Sequence, residues 1–141
     1  MKNLYEEMGV KDILLVEDDP WTRKSLSLFF EFEGCSMRSA ATAEEAITAL
    51  AGGLFDLILC EHHLPGMNGL SLMKLFGNHQ TRAVKILFAS QVTDHLKKEA
   101  VRCGVHEVLR KPFMVETLEE SLRRHCTRSR RRDPEPVDMP L

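Results

Sequence analysis

Three short stretches carry side chains able to do chemistry. Residues 16–20 read VEDDP, residues 57–69 read LILCEHHLPGMNG, and residues 110–113 read RKPF. The first offers Glu17, Asp18 and Asp19, the second Glu61, and the third Lys111. Carboxylates gathered in one place repel one another unless a cation joins them. Oxygen ligands of this kind suit a hard divalent ion, Mg²⁺ first, with Lys111 as a second counter-charge. Helix capping accounts for Asp19 alone. It does not account for Glu17, Asp18, Glu61 and Lys111 together. His62 and His63 are adjacent, so their side chains point apart, and a transition-metal role for the two imidazoles is not expected.

Gathering these residues requires a particular scaffold. DILLV (12–16) is a continuous apolar run, the pattern of a strand buried on both faces. Asp19 as N-cap and Pro20 at the first helical position open a helix over about 20–33. That helix places Trp21, Ser25, Leu28, Phe29 and Phe32 on one side, with the Phe29-Phe30 and Phe32 cluster expected in the core, and stops at Gly34. CSMRSA (35–40) predicts a second strand. Thr42 with Glu45 predicts a capping box, and Gly52-Gly53 ends the helix it opens. DLILC (56–60) is the third strand, followed by a helix over about 69–76. VKILFA (84–89) is the fourth, followed by a helix capped by Thr93 and stopped at Gly104. HEVLR (106–110) is the fifth, and a last helix covers about 114–126. Strands alternating with helices predict an α/β domain, a doubly wound five-stranded parallel sheet. Sites in such sheets lie outside the carboxyl ends of the strands. Those ends deliver Glu17, Asp18 and Asp19, then Glu61, then Ala89 and Ser90, then Lys111.

The bounds are ordinary. The 141 residues are 43% hydrophobic and 28% charged, with a net charge of −2, as in a single globular domain. No apolar run approaches the roughly 18 residues of a membrane span. MKNLYEEMGVKD lacks the features of a signal peptide, and the four cysteines have no CxxC spacing. A cytoplasmic location with reduced thiols is expected. Six of the 19 Lys/Arg but only three of the 21 acids fall in residues 123–141. Residues 127–141 are Arg- and Pro-rich and read as a disordered tail beyond a domain at 11–126. Nucleic-acid binding by that tail is a lesser expectation than a solvated segment.

VEDDP, the EHHLPGMNG turn and RKPF, in this order at these strand ends, resemble the receiver domain of two-component response regulators. The resemblance covers residues 11–126 and implies the flavodoxin-like (βα)5 fold. It implies Mg²⁺ held by Asp18 directly, by Glu17 through water, by residue 61 and by the backbone carbonyl of His63. It implies that Lys111 contacts a phosphoryl group and that Pro112, after it, often follows a cis bond. No Gly-rich nucleotide loop or nucleophile elbow competes with this reading.

Three positions depart from the family's pattern. Its phospho-accepting Asp falls at 61, where this chain has Glu, one methylene longer. A displacement of about 1 Å from near-attack geometry costs on the order of a hundredfold in rate. A Glu carboxylate instead sits partway towards where acyl-phosphate oxygens would lie. The family's Thr or Ser at strand four falls on Ala89 without a gap, or on Ser90 after a one-residue slip. Val108 stands where many receivers carry an aromatic. The expectation is therefore a receiver that is not an enzyme and whose output is independent of phosphate, with Mg²⁺ weakly held or absent. The alternative is a working Mg²⁺-dependent phospho-accepting receiver. No output segment is recognisable, so partners are expected: a histidine kinase or a downstream signalling protein. Lys97, Lys98, Arg102, Arg110 and Arg123 mark the face of the fourth strand's helix, the fifth strand and the last helix. The resemblance makes that face a candidate for partner binding or homodimerisation.

Overall fold

The computed structural model of the chain describes residues 3–126. The tail expected at 127–141 lies outside the described residues. The strands are β1 (Asp12–Val16), β2 (Ser36–Ala40), β3 (Leu57–Glu61), β4 (Val84–Ala89) and β5 (Glu107–Arg110). The helices are α1 (Leu4–Met8), α2 (Pro20–Phe32), α3 (Ala43–Gly52), α4 (Gly69–Phe76), α5 (Asp94–Arg102) and α6 (Val115–His125). All strand pairings are parallel, in the order β2-β1-β3-β4-β5. This is the expected doubly wound flavodoxin-like α/β sheet.

Period-two alternation along the strands divides the core between the two faces of the sheet. Leu14, Val16, Ile58, Cys60, Leu87 and Ala89 pack with residues of α3, α4 and α5. Ile13, Leu15, Leu57, Leu59, Ile86 and Phe88 pack with residues of α1, α2 and α6. Every one of these twelve strand residues is at most 1% exposed, so the sheet is the rigid middle layer.

The helix starts follow local chemistry. The Asp19 carboxylate accepts from Thr22 N at 2.8 Å, with Pro20 in the first helical position. Thr42 accepts from Glu45 N at 3.1 Å, and Glu45 reaches back to Ala41 N at 2.9 Å, one residue earlier than a capping box requires. Thr93 Oγ1 accepts from Leu96 N at 3.0 Å.

Two features differ from expectation. The sequence pattern assigns no element to residues 4–8, and they form α1. On α2 the cluster expected in the core holds at Phe30 and, half-buried, at Phe29, but not at Phe32. Phe30 is fully buried, whereas Trp21, Leu28 and Phe32 are 79%, 56% and 90% exposed. Tyr5 of α1 meets Phe30 edge-on at 5.6 Å, and Phe29 meets Phe30 edge-on at 5.2 Å. This aromatic cluster ties α1 to the inward face of α2.

Candidate functional site

Backbone bonds level the strand ends. Glu17 N donates to Ala40 O at 2.9 Å, His62 N to Phe88 O at 2.8 Å, and Lys111 N to Ala89 O at 2.9 Å. The first residues past β1, β3, β4 and β5 therefore share one edge of the sheet. Lys111 lies just past the outermost strand, and its long stem spans β4 to reach β3 and β1. Its ammonium sits 2.6 Å from Glu61 Oε1 and 2.8 Å from Glu17 Oε1.

The other carboxylate oxygens are engaged by backbone. Glu61 Oε2 accepts from His63 N at 2.9 Å, so the side chain folds over its own turn. Glu17 Oε2 accepts from Asp19 N at 3.1 Å. Glu17 is fully buried and Glu61 is 5% exposed, so the two acids share one ammonium with little help from water. Burial, aided by the Glu61 charge, pushes the Glu17 carboxyl above the usual carboxylate range, although Lys111 and Asp19 N oppose it. Burial alone would depress Lys111. Its bonds and charge contacts with the two acids outweigh that and raise it.

The turn after Glu61 is held by close packing. Gly69 N donates to His62 O at 2.8 Å. A Cβ at Gly69 would lie 2.7 Å from the Glu61 carbonyl oxygen, 2.8 Å from Leu87 Cδ1 and 2.9 Å from His62 Cα. Only glycine lets the start of α4 approach β3 this closely, with Asn68 capping the helix through Ser71 N at 2.9 Å. On the other side, the Lys111-Pro112 bond is cis, and Phe113 stacks 4.6 Å from Phe88.

The remaining residues singled out by sequence divide clearly. Ala89 is buried at the tip of β4, where it presents only a methyl, and Ser90 is exposed on the loop after it. Val108 is partly buried against the α3–α4–α5 side. Asp18 and His63 are exposed. His62 is half-buried, and burial lowers its imidazole below the ordinary value. Asp56 lies at the other end of β3, where it accepts from Lys11 N and Asp12 N at 2.9 Å each. One contributor does not stand out in the sequence. Arg23, in the first turn of α2, donates to the Glu17 carbonyl at 2.8 Å and to the Asp18 carbonyl at 3.4 Å, clamping the acidic loop from below.

As arranged, this donor set does not fit Mg²⁺. Each oxygen of Glu17 and Glu61 already accepts from a nitrogen donor, and the Lys111 ammonium lies between the two acids. Among the described residues, no three His, Cys, Asp or Glu side chains form a group able to hold a metal ion. Of the expected set, Glu17 and Glu61 meet on the Lys111 ammonium, and the His63 backbone N–H lies on Glu61.

Residues 13–123 match the family described as response regulator receiver domain. The chain belongs to that family. It is 36% identical over 104 residues to the Regulator of RpoS of Escherichia coli, covering 72% of this chain and 30% of that protein. It is 31% identical over 115 residues to the transcriptional regulatory protein CrdR of Helicobacter pylori, covering 81% of this chain and 54% of that one. This receiver therefore spans at most about half the length of these two relatives. Among solved structures, a CheY-like receiver domain protein from Methanospirillum hungatei superposes with a TM-score of 0.74 at 27% identity, covering 82% of this chain and 95% of that one. A Burkholderia pseudomallei response regulator solved with a phosphorylated aspartic acid, calcium ion and citrate gives 0.77 at 25% identity, covering 82% of this chain and 68% of that one. The chain is thus a receiver domain of two-component signalling. Among its described residues, no helix is long and apolar enough to cross a membrane.

Proposed function

We propose that this receiver signals through protein contacts in a state fixed by Glu61 and not switched by phosphate. The observation carrying this reading is the Lys111 ammonium, held 2.6 Å from Glu61 and 2.8 Å from Glu17. In a phospho-accepting site that ammonium would serve the incoming phosphoryl group. Here a side-chain carboxylate already engages it. Ala89 adds no hydroxyl that would register a phosphoryl group, so phosphate has little differential contact through which to shift the conformation. The chain then acts as a binding module and not as an enzyme. Its Mg²⁺ site is weak or absent, because an ion at Glu17, Asp18, Glu61 and the His63 carbonyl would have to compete with Lys111.

A histidine kinase or a downstream signalling protein is the partner class of this reading, in the cytoplasm. The surface of α5, β5 and α6 suits a partner with acidic groups, because Lys97, Lys98, Arg102, Arg110 and Arg123 are all exposed there. Nucleic acid is not part of the reading. The test is incubation of the full chain with acetyl phosphate or phosphoramidate and Mg²⁺, followed by intact-mass measurement. No phosphoryl adduct is expected. An adduct mapped to Glu61 would establish the alternative, a working phospho-accepting receiver.

A further inference from the structure

The exposed side of α2 carries an ordered pattern that the receiver site does not use. At 100° per residue, Trp21, Ser25, Leu28 and Phe32 fall within a wedge of about 60° on the helix. Their spacing of four, three and four residues is that of a coiled-coil seam. Trp21, Leu28 and Phe32 are exposed, with Trp21 at 79% and Phe32 at 90%. Phe30, half a turn around the helix, is fully buried, so the seam points directly away from the domain. One flank of the seam, Thr22 and Phe29, is half-buried against the body. The other flank carries Lys24 and Glu31, both exposed.

We propose that this seam is a self-association surface, and that its occupant is α2 of a second copy of this chain, packed antiparallel about a two-fold axis. The charge pattern selects that arrangement. Head to tail, Trp21 meets Phe32 of the second copy and Ser25 meets its Leu28. Lys24 then meets the second copy's Glu31, and the same pair recurs on the other side of the axis, as a two-fold interface requires. A parallel arrangement sets Lys24 and Glu31 against the Thr22 and Phe29 flank and leaves both charges unmatched. A buried aromatic contributes about 150–250 Å². Two such residues and a leucine from each copy reach only the low end of specific interfaces, roughly 1,000 Å² in total, so the dimer is weak and concentration-dependent. The same helix holds Arg23 on the Glu17 and Asp18 carbonyls, which links this surface to the receiver site.

Sedimentation equilibrium of the full chain, from about 1 to 500 µM, tests the proposal. A reversible dimer is expected, with Kd in the tens of micromolar. Lys24→Glu and Glu31→Lys should each weaken it about tenfold, and the double swap should restore it to within about threefold of wild type. Leu28→Glu should give a monomer with an unchanged circular dichroism spectrum, because that side chain is exposed. A wild-type monomer at every concentration overturns the proposal, as does a dimer that survives Leu28→Glu or a double swap no better than the single changes. A monomer that dimerises only after residues 127–141 are removed assigns the seam to the chain's own tail, and also overturns it.

Discussion

Lys111 and Glu61 meet at 2.6 Å across fifty residues of sequence, at the carboxyl edge of the sheet where Glu17 also reaches the same ammonium at 2.8 Å. Two acids that are almost entirely shielded from water depend on this one cation. Lys111→Met should therefore destabilise the domain by about 3 kcal/mol in urea unfolding at pH 7, because it leaves two uncompensated carboxylates in the interior. The deficit should shrink as pH falls and a carboxyl takes up a proton. A variant as stable as wild type at pH 7 would show that the bridge contributes nothing.

Glu17 supplies a pH dependence of definite sign. Its folded-state pKa is raised above the unfolded value, first by burial and also by Glu61. The folded chain therefore binds the proton more tightly. The stabilisation linked to that proton is complete below the unfolded pKa and is lost as pH rises through the folded one. The melting temperature of wild type minus that of Glu17→Gln should increase on going from pH 8 to pH 4.5. A difference that is flat, or that grows with pH, would contradict the assignment.

The Gly69 contact has a steric consequence. Two of the three atoms that a Cβ would meet belong to backbone, the Glu61 carbonyl oxygen and His62 Cα. These cannot move aside as a flexible side chain can. Gly69→Ala should cost about 1–3 kcal/mol in thermal or urea unfolding. Gly52→Ala is the control, since a Cβ there would meet nothing within 4 Å. Equal effects at the two glycines would remove the special role given to Gly69.

Much of this is legible in the sequence, for physical reasons that differ by element. Apolar runs ending on charge place Glu17, Glu61 and Lys111 at strand tips, because parallel strands buried on both faces leave their carboxyl ends as the polar edge. Asp19, Thr42 and Thr93 announce helix starts through short-range bonds that need only neighbouring residues. The inward face of α2 is legible only in part. Its apolar residues surround the helix: Phe29 and Phe30 read as core and are, whereas Trp21, Leu28 and Phe32 turn outward, and Phe30 meets Tyr5 on a five-residue helix too short to show periodicity. The donation of Arg23 to two carbonyls is hidden for a similar reason, since backbone acceptors have no sequence signature.

Glu61→Asp separates chemistry from output. The shorter acid restores the family's acceptor type and withdraws a carboxylate from Lys111, freeing its charge for phosphoryl transfer. This variant should gain one phosphoryl group from phosphoramidate with Mg²⁺, read as intact mass, under conditions where wild type gains none. Failure of the variant to react would mean that the site lacks more than the short nucleophile.

Amide hydrogen exchange over residues 85–111 in the wild-type chain, with and without phosphoramidate and Mg²⁺, is the most direct test of a state fixed by Glu61. The segment runs from β4 through α5 and β5 to Lys111, whose ammonium holds Glu61 and Glu17, so a switch acting through that ammonium is read there. The protection pattern should be the same in both samples. Phosphodonor-dependent loss or gain of protection at α5, accompanied by an adduct on Glu61, would contradict a fixed state and establish a phosphate-driven switch.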